Sequence, residues 1–406
     1  GVLTDRRGAL HYKPNMGQAH LAPGRVLDSA PNLAMSASQL MDVAGSGSMS
    51  MVRLDGTASG YHERTRTGWG PFRTFTSNPN VDFDSANVRM IDLNGDGFDD
   101  ILITEGEHFT WYPSRARDGW GAPQRVSVPR NIEEGPAVVF AGRHSSIFLA
   151  DMSGDGLSDI VRVTHSQVCY WPNLGRGRFG AQIVMDGSPK IDRPDWFHPS
   201  RIRLADLDGS GTADLVYFDA KGMHIWPNQA GNGFGAELLN DSIPVPAALP
   251  TLSFVDLHGV GMSTAVWSPV SHGATGELRH TSPFGTQKPY LLKSIKNGMG
   301  LEVGYQYAAS TKFYLAAKKA GKPWATRLPF PVQVVERVES YDAVSRARLV
   351  TTFSYAHGFY DPIEREFRGF GLVEQTDAET FSPGETVELD QHPVLTRKWF
   401  HTGAWI

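Results

Sequence analysis

Asp92-Leu-Asn-Gly-Asp-Gly-Phe-Asp-Asp100, Asp151-Met-Ser-Gly-Asp-Gly-Leu-Ser-Asp159 and Asp206-Leu-Asp-Gly-Ser-Gly-Thr-Ala-Asp214 are three versions of one loop. In each, oxygen-bearing side chains stand at positions 1, 3, 5 and 9, and a glycine stands at position 6. Weaker versions open at Asp42 and Asp256, so five openers follow one another at intervals of 50, 59, 55 and 50 residues. Self-similarity at such a period marks a repeat architecture.

The register extends well past the loops. A Pro preceded by aromatics lies 21 residues after each of the three strong openers, in Trp111-Tyr112-Pro113, Tyr170-Trp171-Pro172 and Ile225-Trp226-Pro227. Seven residues further on comes an aromatic followed by Gly: Trp120-Gly121, Phe179-Gly180 and Phe234-Gly235. The Asp42 copy keeps Tyr61 and Gly68-Trp69-Gly70, one residue early, and the Asp256 copy keeps only Phe284-Gly285. At the N-terminus, Tyr12-Lys13-Pro14-Asn15 matches the second half of a repeat, whose opening Asp would fall about eight residues before Gly1. On this register the chain is expected to begin inside a repeat.

Between these signals the segments are short and alternate apolar with polar, as at 88–93, 100–104, 160–163, 167–171, 202–207 and 215–218. Each is about a strand long and bounded by Gly, Asn or Asp, and no helical period of useful length interrupts 34–240. Roughly four such strands fit one repeat, which is the size of a propeller blade. A solenoid would use shorter repeats and a string of sandwiches longer ones. The expected fold is therefore all-β: a β-propeller of about five to six four-stranded blades over residues 1–286, the first incomplete, followed by a β-rich segment over 287–406.

In that second segment, residues 290–295 and 301–307 read as strands joined by the Asn297-Gly298 turn. Ser310 or Thr311 is placed to cap a short helix running through Lys319, stopped by Gly321 and Pro323. Residues 332–341, 348–355 and 360–374 alternate as further strands, and the last 30 or so residues read as a connection.

Composition narrows the function classes. The chain has 406 residues, 40% of them hydrophobic, with 43 Gly and 26 Pro, which suits a turn-rich β protein. A net charge of -5 spread along the sequence offers no basic face for nucleic acid. Cys169 is the single cysteine, so neither a disulfide framework nor a cysteine zinc cluster is available, and its place in an alternating strand points to packing. No apolar run approaches the roughly 18 residues of a membrane helix, and no secretory signal opens the chain.

The Asp loops carry the clearest chemistry. A hard cation such as calcium takes six to eight oxygens, and a tight loop with acidic residues at alternate positions turns them toward one point. The candidate ligands are Asp92, Asn94, Asp96 and Asp100; Asp151, Ser153, Asp155 and Asp159; and Asp206, Asp208, Ser210 and Asp214. The carbonyl at position 7 would add one oxygen, and Gly97, Gly156 and Gly211 permit the sharp turn. Position 12 is Ile103, Arg162 or Tyr217, where an EF-hand needs Glu. The competing explanation is that these Asp side chains cap backbone amides and hold no metal. The Asp42 and Asp256 loops lack the ligand set and are not expected to bind a cation.

These loops, in blades of this length, resemble the FG-GAP or integrin-α type propeller repeat. The wider arrangement resembles the middle region of the insecticidal toxin-complex B component, the SpvB/TcdB-like family related to Rhs proteins. It is carried by Tyr170-Trp-Pro-Asn-Leu-Gly-Arg-Gly-Arg-Phe-Gly180, Lys288-Pro-Tyr-Leu-Leu292, Asn297-Gly-Met-Gly300, Tyr307 with Ser310-Thr311, and Gly358-Phe-Tyr-Asp-Pro-Ile-Glu-Arg-Glu-Phe-Arg-Gly-Phe-Gly371. The resemblance implies a secreted bacterial protein with a non-enzymatic role. Its propeller would dock on a pore-forming A-type subunit and gate the passage of toxin, and the segment from 287 would begin a shell shared with a C-type Rhs subunit. The cofactor expected from the Asp loops is structural calcium, and from charge and hydropathy neither nucleic-acid binding nor a membrane span is expected.

Two other functions compete. A calcium-stabilised extracellular adhesion propeller binding glycans or a receptor would stack sugars on exposed rim aromatics, but the aromatic-Pro positions recur in every strong repeat, which favours packing. Glu364-Arg365-Glu366 matches the Glu-x-Glu of arginine-directed ADP-ribosyltransferases, yet it lies inside the shell motif without a matching Ser-Thr-Ser strand. The fourteen His show no spacing for a metal or a triad, and no nucleophile elbow, P-loop or dinucleotide fingerprint is present.

Overall fold

The computed structural model describes residues 1–6, 9–27, 38–54, 58–65, 68–105, 107–137, 146–193, 196–243, 245, 249–268, 278–380 and 393–404. Two compact units emerge. The first comprises Gly1–Pro14, Pro23–Val255 and Ser263–Gly285; the second comprises Asn15–Ala22, Asp256–Met262 and Thr286–Ile406.

The first unit is a β-propeller of six antiparallel sheets that succeed one another along the chain. Blade one holds β1 (Val2–Arg6), β2 (Ala9–Lys13) and β3 (Arg25–Val26), and blade two β4 (Gln39–Met41), β5 (Ser50–Arg53), β6 (Gly60–Arg64) and β7 (Trp69–Thr74). Blade three holds β8 (Val88–Ile91), β9 (Asp100–Glu105), β10 (His108–Tyr112) and β11 (Gln124–Ser127). Blade four holds β12 (Ile147–Ala150), β13 (Asp159–Val163), β14 (Val168–Trp171) and β15 (Ile183–Val184). Blade five holds β16 (Ile202–Ala205), β17 (Asp214–Asp219), β18 (Gly222–Trp226) and β19 (Leu238–Asn240), and blade six β20 (Ser253–Val255), β21 (Thr264–Trp267) and β22 (Arg279–Thr281). The middle four blades have the expected four strands; among the described residues the first and last have three.

Each apolar cluster of this unit joins two consecutive blades. Val161, Val163 and Tyr170 of blade four pack with Leu215, Tyr217 and Trp226 of blade five, and Leu102, Phe109 and Trp111 of blade three pack with Ile160, Cys169 and Trp171 of blade four. Blades two to five therefore bury both faces, against the one before and the one after. This explains a departure from the alternating pattern expected of its strands. All of β14 and β18 and nearly all of β17 are buried, whereas the outer strands β15 and β19 expose Ile183, Val184, Leu238 and Leu239. Two-sided burial removes the need for polar residues on one face, as it does in sheets covered on both sides.

The second unit is built on one six-stranded antiparallel sheet in chain order: β23 (Ser294–Lys296), β24 (Leu301–Ala309), β25 (Gln333–Asp342), β26 (Arg348–Asp361), β27 (Glu366–Thr380) and β28 (Val394–Trp399). Its helix α1 (Ser310–Lys319) places Phe313 and Ala317 in an apolar cluster with Trp324, Leu328, Tyr355 and Phe370. Phe370, from the Glu364–Gly371 string, meets Trp324 edge-on at 5.9 Å. Gly358 has a packing reason, since a Cβ there would lie 2.9 Å from Trp324 Cζ3.

Four expectations for this region need correction. Residues 290–293 are not strand, and β23 starts only at Ser294. Neither Ser310 nor Thr311 caps the helix: Ala309 occupies the cap position, and Ser310 instead exchanges bonds with Val332, its N–H donating to the Val332 carbonyl and its Oγ accepting from the Val332 N–H at 3.0 Å. Residues 362–365 form the turn between β26 and β27, so 360–374 is not one strand. The terminal stretch is more than a connection, because β28 pairs with β27 from Leu372↔Trp399 to Asp377↔Val394.

Candidate metal centre and the Asp loops

Each loop from Asp92, Asp151 and Asp206 joins the first strand of its blade to the second. The opening Asp folds the loop around itself. Asp92 Oδ1 accepts the N–H groups of Gly95 (2.7 Å) and Asp96 (3.0 Å), and its Oδ2 accepts that of Gly97 (2.7 Å). Asp151 accepts from Gly154 and Gly156, and Asp206 from Gly209 and Gly211, all within 3.0 Å. The position-6 glycines have φ of 77°, 87° and 95°, a conformation that a side chain would strain. The loops without the ligand set do the same: Asp42 accepts from Ala44, Ser46 and Gly47, and Asp256 from Gly259, Val260 and Gly261. Amide capping by the opener is therefore common to all five loops.

The position-9 Asp is a buried staple. Asp100, Asp159 and Asp214 are 0% exposed. One oxygen of each accepts the position-2 amide, from Leu93 (3.2 Å), Met152 (3.0 Å) or Leu207 (3.0 Å). The other accepts the amide of the residue after the aromatic-Pro signal, from Ser114 (2.6 Å), Asn173 (2.8 Å) or Asn228 (2.9 Å). Burial drives their pKa values upward, the like charges at positions 1 and 5 or 3 add to it, and the donated amides only partly offset it. Asp100 is pushed up to about 7, Asp159 to about 6 and Asp214 to about 7. Burial also raises Asp206.

Positions 3 and 5 separate the loops. In the first, Asn94 is exposed; its Nδ2 donates to Asp96 Oδ2 (2.8 Å) and its Oδ1 accepts the Asp96 N–H (2.9 Å). In the second, Asp155 is exposed and accepts the Leu157 N–H. In the third, Asp208 is only 1% exposed, and Ser210 Oγ lies 3.1 Å from Thr212 Oγ1. Among the described residues, Asp206, Asp208 and Asp214 are the one group of metal-ligating side chains whose ligand atoms all lie within 4.8 Å of one another. Three carboxylates so close, two of them buried, need positive charge or protons, and their oxygen-only donor set suits a hard divalent cation.

The Asn that follows the signal Pro carries bonds that the repeat pattern alone does not announce. Asn228 Nδ2 donates to Met152 O (3.0 Å) in the preceding blade and to Ala213 O (3.1 Å), and Asn173 Nδ2 donates to Ser158 O (3.2 Å). Loops also bond from blade to blade, Ala213 N–H to Asp151 O (2.7 Å) and Ser263 N–H to Asp206 O (3.2 Å). The Pro-Asn pairs at 172–173 and 227–228 are the signal that would have found these residues. Trp111, Trp171 and Trp226 are 3%, 0% and 8% exposed, so the recurrent aromatics are core.

Residues 234–403 match the family described as the insecticide toxin TcdB middle/N-terminal region, and residues 92–162 match the FG-GAP-like repeat. No curated protein matches this chain. Among solved structures, it is similar to a chain of the Photorhabdus luminescens Tc holotoxin pore, at 31% identity and a TM-score of 0.84 over 99% of this chain and 19% of that one. It is also similar to TcdB2-TccC3, at 26% identity and a TM-score of 0.60 over 97% of this chain and 22% of that one. The TcdB2-TccC3-Cdc42 structure gives 27% identity and a TM-score of 0.60 over the same shares. The chain thus spans about a fifth of the length of the chains it resembles.

Proposed function

We propose, from the premise that this chain is a TcdB-like toxin-complex B region carrying FG-GAP-type repeats, that it is a non-catalytic part of a secreted bacterial toxin complex. Its propeller docks on a pore-forming A-type subunit and gates the passage of toxin. Its second unit is part of the β-shell made with a C-type Rhs subunit. The observation that carries this reading is the similarity over 99% of the chain, at a TM-score of 0.84, to a chain of the Tc holotoxin pore.

The competing functions draw less support. A glycan-stacking surface built on the repeat aromatics lacks accessible rings, since those tryptophans are core. The Glu364-Arg365-Glu366 string runs from a turn into β27, where Glu366 pairs with Arg368 and the Glu364 N–H donates to Asp361. The ion pair gives the Glu366 charge a structural role at the strand end.

Within this function the metal has a structural task. A calcium ion held by Asp206, Asp208 and Asp214 would offset the mutual repulsion of three carboxylates and fasten the start of blade five.

Copurification tests the proposal. The parent protein containing this region, mixed with an A-type pore subunit and a C-type Rhs subunit, is expected to elute with both as one complex, and its propeller is expected to be protected from proteolysis by the A-type subunit alone. Failure to associate with the A-type subunit, together with binding to immobilised glycans, would overturn it in favour of an adhesion propeller.

A further inference from the structure

His224 on β18 has both ring nitrogens against carboxylates. Nδ1 lies 2.6 Å from Glu237 Oε1 and Nε2 lies 2.8 Å from Asp219 Oδ1. A neutral imidazole has one donor and one acceptor nitrogen, so it satisfies only one of two ionised carboxylates; an imidazolium satisfies both. The ring is enclosed, its side chain 11% exposed, and it stacks on Trp226 at 6.0 Å and 13°.

The clamp links three strands of blade five. Asp219 ends β17, His224 lies in β18, and Glu237 immediately precedes β19. The last is the outer strand and the weakly held one. It contributes three residue pairs to β18, and Leu238 and Leu239 are 42% and 53% exposed, so burial adds little to its attachment. Its far end is tied by Asn240 Nδ2 to Thr281 Oγ1 at 3.1 Å. The near end follows the Gly235 N–H bond to Pro227 O at 2.8 Å, and Glu237 adds the side-chain tie to His224.

We propose that His224 is a charge-dependent latch that holds the start of β19 on blade five and releases it when the imidazolium loses its proton.

The surrounding groups agree with a charged ring. Burial pulls the His224 pKa down, but the bonds and charges of Glu237 and Asp219 more than offset this and leave it above its ordinary 6.5. Asp219 is itself held below the usual carboxylate range: burial works against this, and the His224 bond and the Lys221 amide overcome it. Tyr217, the cross-strand partner of His224, is engaged elsewhere, its hydroxyl donating to Asp192, which also faces Arg201. The sign follows from linkage: the latch contributes fully below about pH 6.5 and is lost as pH rises through the raised folded value.

Hydrogen exchange on the full chain between pH 6 and 9 tests this, read as protection factors so that base catalysis of exchange cancels. Protection at β19 and the facing β18 amides, relative to β14 and β15, is expected to fall roughly tenfold or more as pH rises. In His224→Gln it is expected to be low throughout and flat. In Glu237→Gln, whose site is half exposed, the fall is expected at lower pH, which keeps the test standing if His224→Gln does not fold. A flat wild-type ratio, or a pH step unchanged in either variant, overturns the latch.

Discussion

Replacing Asp159 by Asn asks whether the position-9 carboxylate stabilises the propeller by its charge or in spite of it. Asp159 is fully buried, and its pKa is pushed from 3.8 up to about 6, chiefly by burial, against the two amides it accepts. The folded state therefore holds the proton more tightly than the unfolded chain, and stability falls as pH rises from about 4 to beyond 6. At about 1.4 kcal/mol per tenfold in proton affinity, that rise is worth about 3 kcal/mol. Asn at this site keeps one acceptor for Met152 or Asn173 and leaves the other amide facing a donor, a loss of about 1–3 kcal/mol relative to a carboxylate accepting both. The Asn side chain does not titrate, so the wild-type advantage, measured as the difference in unfolding free energy, is expected to shrink by about 3 kcal/mol between pH 4 and pH 7. Urea unfolding at half-unit pH steps in EDTA gives that difference, and comparing the two proteins cancels the parallel titrations of Asp100 and Asp214. A difference constant within about 1 kcal/mol, or one that grows with pH, would refute the reasoning and show that the amides outweigh burial.

Calcium added after EDTA treatment is expected to raise the melting temperature of the wild type, and Asp208→Ala to abolish most of that rise, since it removes one of the three converging carboxylates. An equal rise in the variant would move the ion elsewhere. Trp171→Ala empties a site that is 0% exposed between blades three and four, and a loss of about 3–5 kcal/mol is expected in urea unfolding; a loss below about 1 kcal/mol would contradict the two-sided burial of the blades. Gly177→Ala places a Cβ 2.9 Å from Trp111 Cδ1 at a φ of 71°, and a loss of about 1–3 kcal/mol is expected from strain and displacement of that ring. An unchanged urea midpoint would show that the loop yields freely.

The repeat was legible because its offsets are hydrogen-bond distances along the chain. The position-9 Asp reaches the residue after the signal Pro, 14 residues on, in all three strong copies. The Pro carbonyl then accepts the N–H of the Gly after the second aromatic, in Pro113–Gly121, Pro172–Gly180 and Pro227–Gly235. Changing either interval would break a bond, and both intervals are the same in the three strong copies although their loops differ at positions 3 and 5. The second unit was read less well because its strands are long and its irregularities local. β26 and β27 run for 14 and 15 residues, with a register shift between Gly358 and Tyr360 that nothing in the sequence announces. The His224 clamp was not legible either, since Asp219, His224 and Glu237 meet through strand pairing and share no motif spacing.

The same bonds decide how far the Asp pattern speaks for a metal. An Asp at position 1 is no evidence for one, because Asp42 and Asp256 cap amides as Asp92, Asp151 and Asp206 do. An Asp at position 9 is weak evidence, because both of its oxygens already accept amides in each strong loop. Once these two roles are assigned, the discriminating residue is the acid between them. In the first two loops it stands at position 5, half-buried Asp96 or exposed Asp155; in the third it stands at position 3, as buried Asp208. Asp208 Oδ1 accepts the Ser210 N–H at 2.9 Å, a bond that does not require its burial, since exposed Asp155 likewise accepts the Leu157 N–H; burying the carboxylate beside two others raises a repulsion that a cation would relieve. Asp208 is therefore the residue whose replacement tests the proposed calcium site, and blade five is where that test is expected to succeed before either of its neighbours.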